Sequence, residues 1–109
     1  MADERVRRVG LNEAVFRQVN ERIEDLADTF GLGEQLDLIC ECGDATCTSR
    51  IEMSREEYER VRSDPTTFAV ISGHEIPDVE EVVERRRTYD VIRKTATAAQ
   101  KIAEATDRR

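Results

Sequence analysis

From Leu11 onward, apolar side chains recur every three or four positions: Leu11, Val15, Val19, Ile23, Leu26 and Phe30. That spacing gathers them on one face of a helix, with Glu13, Arg17, Glu21, Glu24, Asp25 and Asp28 at other positions. The pattern predicts a core-facing amphipathic helix over about 11–30. Asn12 is a candidate cap at its start. Gly31 is expected as the left-handed residue after the helix, with Leu32 packing back on its end. A single helix of about five turns does not by its pattern alone argue for a coiled coil. The polar residues 1–10 read as a flexible N-terminus, and 11–109 as a single domain.

After a linker at Gly33-Glu34-Gln35, the pattern changes period. Leu36 to Cys40 reads as a strand and Thr48 to Met53 as a returning one, flanking a tight loop that contains a glycine. Ser54-Arg55-Glu56-Glu57 is a capping box that opens a short helix ending near Asp64-Pro65. The β-branched and aromatic run Thr66 to Ile71 predicts a third strand, and Ser72-Gly73 a turn that delivers His74. Val82-Val83 and Val91-Ile92 lie symmetrically about Arg87. We therefore expect a hairpin with strands over about 80–85 and 89–94, although Ile76, Val79, Val82 and Val83 also fit a helical spacing. The alanine-rich stretch 96–106 predicts a last helix. Together these elements give an α+β fold: a long first helix on a small antiparallel sheet, a hairpin carrying a zinc knuckle, and a short C-terminal helix.

Composition changes this picture in one respect. A chain of 109 residues with 39% hydrophobic and 38% charged residues, no tryptophan and only five aromatics has a thin core, which a metal staple would supplement. No apolar run approaches the roughly 18 residues of a membrane helix, and the charged start lacks the apolar segment of a secretory signal, so a cytoplasmic location is expected. The net charge of -7 disfavours nucleic acid as a partner and leaves another protein as the expected one. The arginines at 5, 7, 8, 85–87, 93, 108 and 109 and Lys94 read as solvated surface charges, as do the acid pairs Glu56-Glu57 and Glu80-Glu81.

All three cysteines fall in Cys40-Glu41-Cys42-Gly43-Asp44-Ala45-Thr46-Cys47, and the only histidine is His74. Zn²⁺ takes about four soft or borderline ligands in a tetrahedron. Cys40, Cys42, Cys47 and His74 are the candidate metal ligands, with Asp44 as the alternative fourth. Gly43 is expected to let the backbone turn so that amides point at sulfur. Arg50 is expected to offset part of the net negative charge that three thiolates leave around Zn²⁺. A closed Cys3His shell leaves no position for water and would be structural rather than catalytic. The competing readings are three ordinary buried thiols, a disulfide with one cysteine left over, and an iron–sulfur centre. Iron–sulfur proteins of the CDGSH type keep their third cysteine and histidine much closer together than Cys47 and His74. A cysteine nucleophile with His74 as base needs fewer thiols than are present. There is no P-loop, no dinucleotide fingerprint and no H-E-x-x-H.

The residues Ile39 to Asp44, Cys47-Thr48, Ile51, Glu57-Tyr58, Val61-Arg62, Asp64-Pro65, Phe68 and Gly73-His74-Glu75 resemble a group of small acidic proteins from actinobacteria-like genomes. The resemblance spans most of the chain. The group has no known activity, so the likeness implies only that the cysteine cluster and Gly73-His74-Glu75 belong together. The sequence points to a small, non-enzymatic, zinc-stabilised binding or regulatory protein. The alternatives are a thiol-based redox sensor or enzyme, and a nucleic-acid-binding zinc protein, which would need its arginines on one face.

Overall fold

The computed structural model describes residues 2–31 and 34–109. The expected linker at Gly33 and the packing of Leu32 lie outside the described residues. Helix α1 (Ala2–Thr29) is followed by strands β1 (Gln35–Ile39) and β2 (Arg50–Ser54), helix α2 (Arg55–Arg62) and strand β3 (Thr67–Val70). Strands β4 (Glu80–Arg85) and β5 (Asp90–Lys94) and helix α3 (Thr97–Ala105) complete the chain. Two antiparallel sheets form, β1-β2 and β3-β5-β4, so the α+β class holds with the strands divided between two sheets.

Local chemistry explains most boundaries. Ser54 accepts a hydrogen bond from the Glu57 amide, and Glu57 accepts one from the Ser54 amide; this is the expected capping box. Alternation buries Leu36 and Leu38 of β1 and Ile51 and Met53 of β2 on one side, leaving Gln35, Asp37, Arg50 and Glu52 outside. Tyr58, Val61, Phe68, Val70, Tyr89, Ile92 and Ala103 continue that core. In the β4–β5 hairpin Val82 faces Ile92 as expected. A bulge after it places Glu84 opposite Val91, so Val83 turns outward and loses its expected partner.

Two expectations for α1 are corrected. The helix starts at Ala2 rather than near Leu11, because tertiary packing supports residues whose composition reads as loose: Val9 is buried against Gly43. Gly10 sits where a Cβ would meet the Ile102 side chain at 2.8 Å, so α1 and α3 cross closely there. The second correction is larger. The face turned to the core is Val9, Glu13, Ala14, Arg17, Asn20, Glu24 and Ala27, whereas Leu11, Val15, Val19, Leu26 and Phe30 are exposed and Ile23 is half-buried. Burying polar groups is tolerable only where each finds a partner. Here most do. Arg17 donates to the carbonyls of Pro65 (2.7 Å) and Ala103 (2.8 Å) and stacks 4.5 Å from the Phe68 ring centroid. Asn20 closes the free edge of β1, donating to the Ile39 carbonyl and accepting from the Ile39 amide, both at 2.8 Å.

Candidate metal centre

Strand β1 ends at Ile39, and the loop 40–49 is closed at its base where the Cys40 amide donates to the Ser49 carbonyl at 2.9 Å. Glu41 then turns inward and is wholly buried. Its amide donates to the Ala69 carbonyl (2.8 Å), and its Oε1 accepts from the Ala69 amide (3.0 Å). Its Oε2 accepts from Asn20 Nδ2 (2.9 Å) and from the Tyr58 hydroxyl (2.8 Å). Extended backbone sends successive side chains to opposite sides, so anchoring Glu41 inside turns Cys40 and Cys42 to the same opposite side. The C-x-C spacing is in this sense an anchor flanked by two thiols.

Cys47 arrives through the turn Asp44–Cys47, in which the Cys47 amide donates to the Asp44 carbonyl at 3.0 Å. The Asp44 carboxylate shapes that turn by accepting from the Thr46 amide (2.9 Å) and hydroxyl (2.7 Å), bonds that hold its pKa below the ordinary value. His74 arrives from the end of β3. Gly73 takes φ +91°, a conformation that favours glycine, and the His74 amide donates to the Ile71 carbonyl at 2.9 Å.

The four side chains meet. One ligand atom each from Cys40, Cys42, Cys47 and His74 lies within 4.8 Å of every other, a group that could hold a metal ion. His74 Nδ1 is 3.5 Å from Cys40 Sγ and 3.7 Å from Cys47 Sγ. A tetrahedron with metal–sulfur distances of about 2.3 Å and a metal–nitrogen distance of about 2.0–2.1 Å has S···N edges of about 3.6 Å, so the spacing suits one ion at the centre. Asp44, spent on Thr46 and exposed, stands outside the group.

The surroundings favour a thiolate at Cys42 and oppose one at Cys40. The Ile71 amide donates to Cys40 Sγ at 3.2 Å. Hydrogen bonding from Cys40 and then the Asp44 amide hold Cys42 down at about 5, while the same contact with Cys42, followed by burial, pushes Cys40 up. Arg50 does not balance the cluster as expected; it pairs with Asp37 at 2.8 Å on the outer face of the hairpin. The turn at Gly43 brings the Asp44 amide to the Cys42 sulfur as expected, though not through a left-handed conformation. Gly43 is required because a Cβ there would meet Val9 Cγ1 at 2.5 Å and Ile76 Cδ1 at 3.1 Å, so the loop lies directly on α1. Asn12, expected as a helix cap, lies within α1 and donates to the Gly43 carbonyl at 2.9 Å.

Comparison with protein-family profiles, with curated proteins and with solved structures finds no match to this chain.

Behind the His74 loop lies a buried cluster invisible in the sequence. Lys94 Nζ donates to Glu13 Oε1 (2.7 Å) and Glu80 Oε2 (2.8 Å), and Glu80 Oε1 accepts from the Ile76 amide at 2.8 Å. This ties the segment after His74 to α1 and β5. Glu80 and Lys94 are thus core residues rather than the solvated charges expected, although Glu81 and Glu56 are exposed. Burial and the neighbouring Glu80 carboxyl raise Glu13 well above the ordinary carboxylate range. The Glu41 anchor also lay beyond sequence reasoning. Its position between two thiols was the one available signal.

Proposed function

We propose that this protein is a small, non-enzymatic binding or regulatory module whose loops are pinned by one structural Zn²⁺ held by Cys40, Cys42, Cys47 and His74. What carries the reading is the pair of S···N separations, 3.5 and 3.7 Å, which are those of a tetrahedral edge. Three thiolates and one imidazole close the shell, leaving no position at which water or substrate would be activated. Supporting the structural role, the ion would join the β1–β2 loop to the segment after β3, adding to the hydrogen bond from the Ile71 amide to Cys40 Sγ. The free thiols fit a reducing compartment such as the cytoplasm. Among the described residues, no helix is long and apolar enough to cross a membrane. The partner we expect is another protein. The arginines do not favour nucleic acid: Arg5, Arg50, Arg62, Arg85, Arg93 and Arg109 are paired with carboxylates.

Elemental analysis of protein purified without chelator tests the reading, with His74→Ala alongside. One zinc per chain is expected for the wild type, with a colourless solution. His74→Ala is expected to bind zinc at least tenfold more weakly, and chelation to lower the melting temperature sharply. Metal-free wild type with an unchanged melt on adding zinc contradicts the proposal.

A second reading has one observation in its favour. Cys47 is half-buried whereas Cys40 and Cys42 are closed off, so Cys47 is the thiol an oxidant or electrophile would reach first. A thiol-based redox sensor would show rapid labelling of Cys47 in the as-purified protein; a structural zinc site predicts slow labelling until chelator is added.

A further inference from the structure

One ammonium serves two buried carboxyls behind the His74 loop. Glu13, Glu80 and Lys94 are each no more than 2% exposed. Four carboxyl oxygens meet there, and three of them have a donor. Lys94 Nζ donates to Glu13 Oε1 at 2.7 Å and to Glu80 Oε2 at 2.8 Å, and the Ile76 amide donates to Glu80 Oε1 at 2.8 Å. Glu13 Oε2 is buried and has no hydrogen-bond partner among the described residues. With both carboxyls ionised, the cluster would set two negative charges against one positive charge, out of water, with one acceptor unpaired. Burial penalises the uncompensated charge and the unpaired acceptor alike. A single proton held between the two carboxyls removes both faults. It balances the charge and supplies the missing donor, and Glu13 and Glu80 lie within hydrogen-bonding reach of each other.

The charged groups that bear on Glu13 from the elements packed against α1 are Glu80 of β4 and Lys94 of β5. Helix α3 meets α1 at Gly10 through Ile102, an apolar contact. Arg17, one turn further along α1, is directed to the Pro65 and Ala103 carbonyls, and Arg5 pairs with Asp78 at the surface.

We propose that a proton held between Glu13 and Glu80 latches the segment 74–79 onto α1, and that loss of this proton releases the segment. Glu80 is the pivot. Its Oε1 accepts from the Ile76 amide, and its own amide donates back to the Ile76 carbonyl at 3.1 Å. Ile76 in turn packs on the cysteine loop, where a Cβ on Gly43 would lie 3.1 Å from its Cδ1. Ionisation sends the proton to bulk water and leaves Glu13 and Glu80 competing for Lys94. Burial, and then the Glu80 carboxyl, favour the protonated form of Glu13 in the folded chain. The latch is therefore complete below the ordinary carboxylate value of 4.5 and weakens as pH rises, until Glu13 has ionised. The released segment carries His74, so the latch restrains one proposed metal ligand. That consequence rests on the metal reading; the proton itself does not.

Heteronuclear NMR of the isotope-labelled full chain tests this. Assigning each carboxyl carbon through bonds in the wild type separates Glu13 from Glu24 and Glu41, which burial also raises. At neutral pH Glu13 is expected to give the chemical shift of a carboxylic acid. Hydrogen exchange at the Ile76 amide reads the latch. Its protection, corrected for the intrinsic exchange rate, is expected to fall by up to about tenfold per pH unit above 4.5 until Glu13 ionises. Glu13→Gln keeps a neutral donor beside Glu80 and leaves a single ion pair, so its Ile76 protection is expected to stay level over the same range. A carboxylate at Glu13 at neutral pH overturns the proposal. So does Ile76 protection that runs parallel in wild type and Glu13→Gln or, should that variant not fold, protection that is independent of pH in the wild type. Wild type that holds no metal would overturn the metal reading alone, because neither measurement refers to the ion.

Discussion

Glu41 shows how one buried carboxylate organises a site made of other residues. Three donors from three elements converge on it: Asn20 from α1, Tyr58 from α2 and the Ala69 amide from β3. Burial raises its pKa, and those three hydrogen bonds oppose the rise. Replacing one oxygen by an amide turns a donor toward at least one of these donors. Glu41→Gln is therefore expected to cost about 1–3 kcal/mol in denaturant unfolding of the metal-loaded protein. An unchanged midpoint would show that the anchor is dispensable. Glu24 makes a prediction about pH. Burial, and then its hydrogen bond with Glu59, lift it from the ordinary 4.5 to about 7 against the pull of Arg109. The folded protein thus holds this proton more tightly than the unfolded chain does. The stabilisation is complete below about 4.5 and is lost as pH rises through about 7. Glu24→Gln should flatten the fall in stability between pH 5 and 7.5. The same slope in variant and wild type would assign it to another group.

At the scale of elements, α1 does more than cover a sheet. It seals the edge of β1 through Asn20, supports the cysteine loop through Val9 and Asn12, and anchors the His74 segment through Glu13, Lys94 and Glu80. A Cβ at Gly43 would meet Val9 Cγ1 at 2.5 Å, and a double-mutant cycle isolates that close packing. Gly43→Ala is expected to lower both the melting temperature and the zinc affinity, because β-branched Val9 has little freedom to move aside. Adding Val9→Ala should recover part of both. A double variant no better than Gly43→Ala would place the damage elsewhere. The strands, the capping box, the β4–β5 hairpin and the last helix were legible because their signals are local. Alternation, Ser54 with Glu57, and a turn between Val82-Val83 and Val91-Ile92 all act within a few residues. The orientation of α1 was not legible. Its buried face is polar, and the groups that satisfy it lie far along the chain: Ile39, Glu41, Pro65, Lys94 and Ala103. A hydrophobicity pattern reports where apolar residues gather. It cannot report that a polar face will find its partners, so by pattern alone the apolar stripe points to the core.

The whole molecule is a thin two-sheet core held by polar clasps as much as by apolar packing. The C-terminus adds another, with Arg109 reaching Glu24 and Glu59, and Asp107 pairing with the buried Arg62. In such a framework a metal ion at one end, as proposed, would add rigidity that few large side chains supply. The candidate ligand set was readable because three cysteines share one short run. The choice of His74 over Asp44 needed the geometry, which gives Asp44 to Thr46 and brings Nδ1 between two sulfurs. X-ray absorption at the zinc edge of protein purified without chelator reads that shell directly. The expected result is three sulfurs at about 2.3 Å and one nitrogen at about 2.0–2.1 Å. A shell of oxygen and nitrogen alone, or one with fewer than three sulfurs, would contradict it.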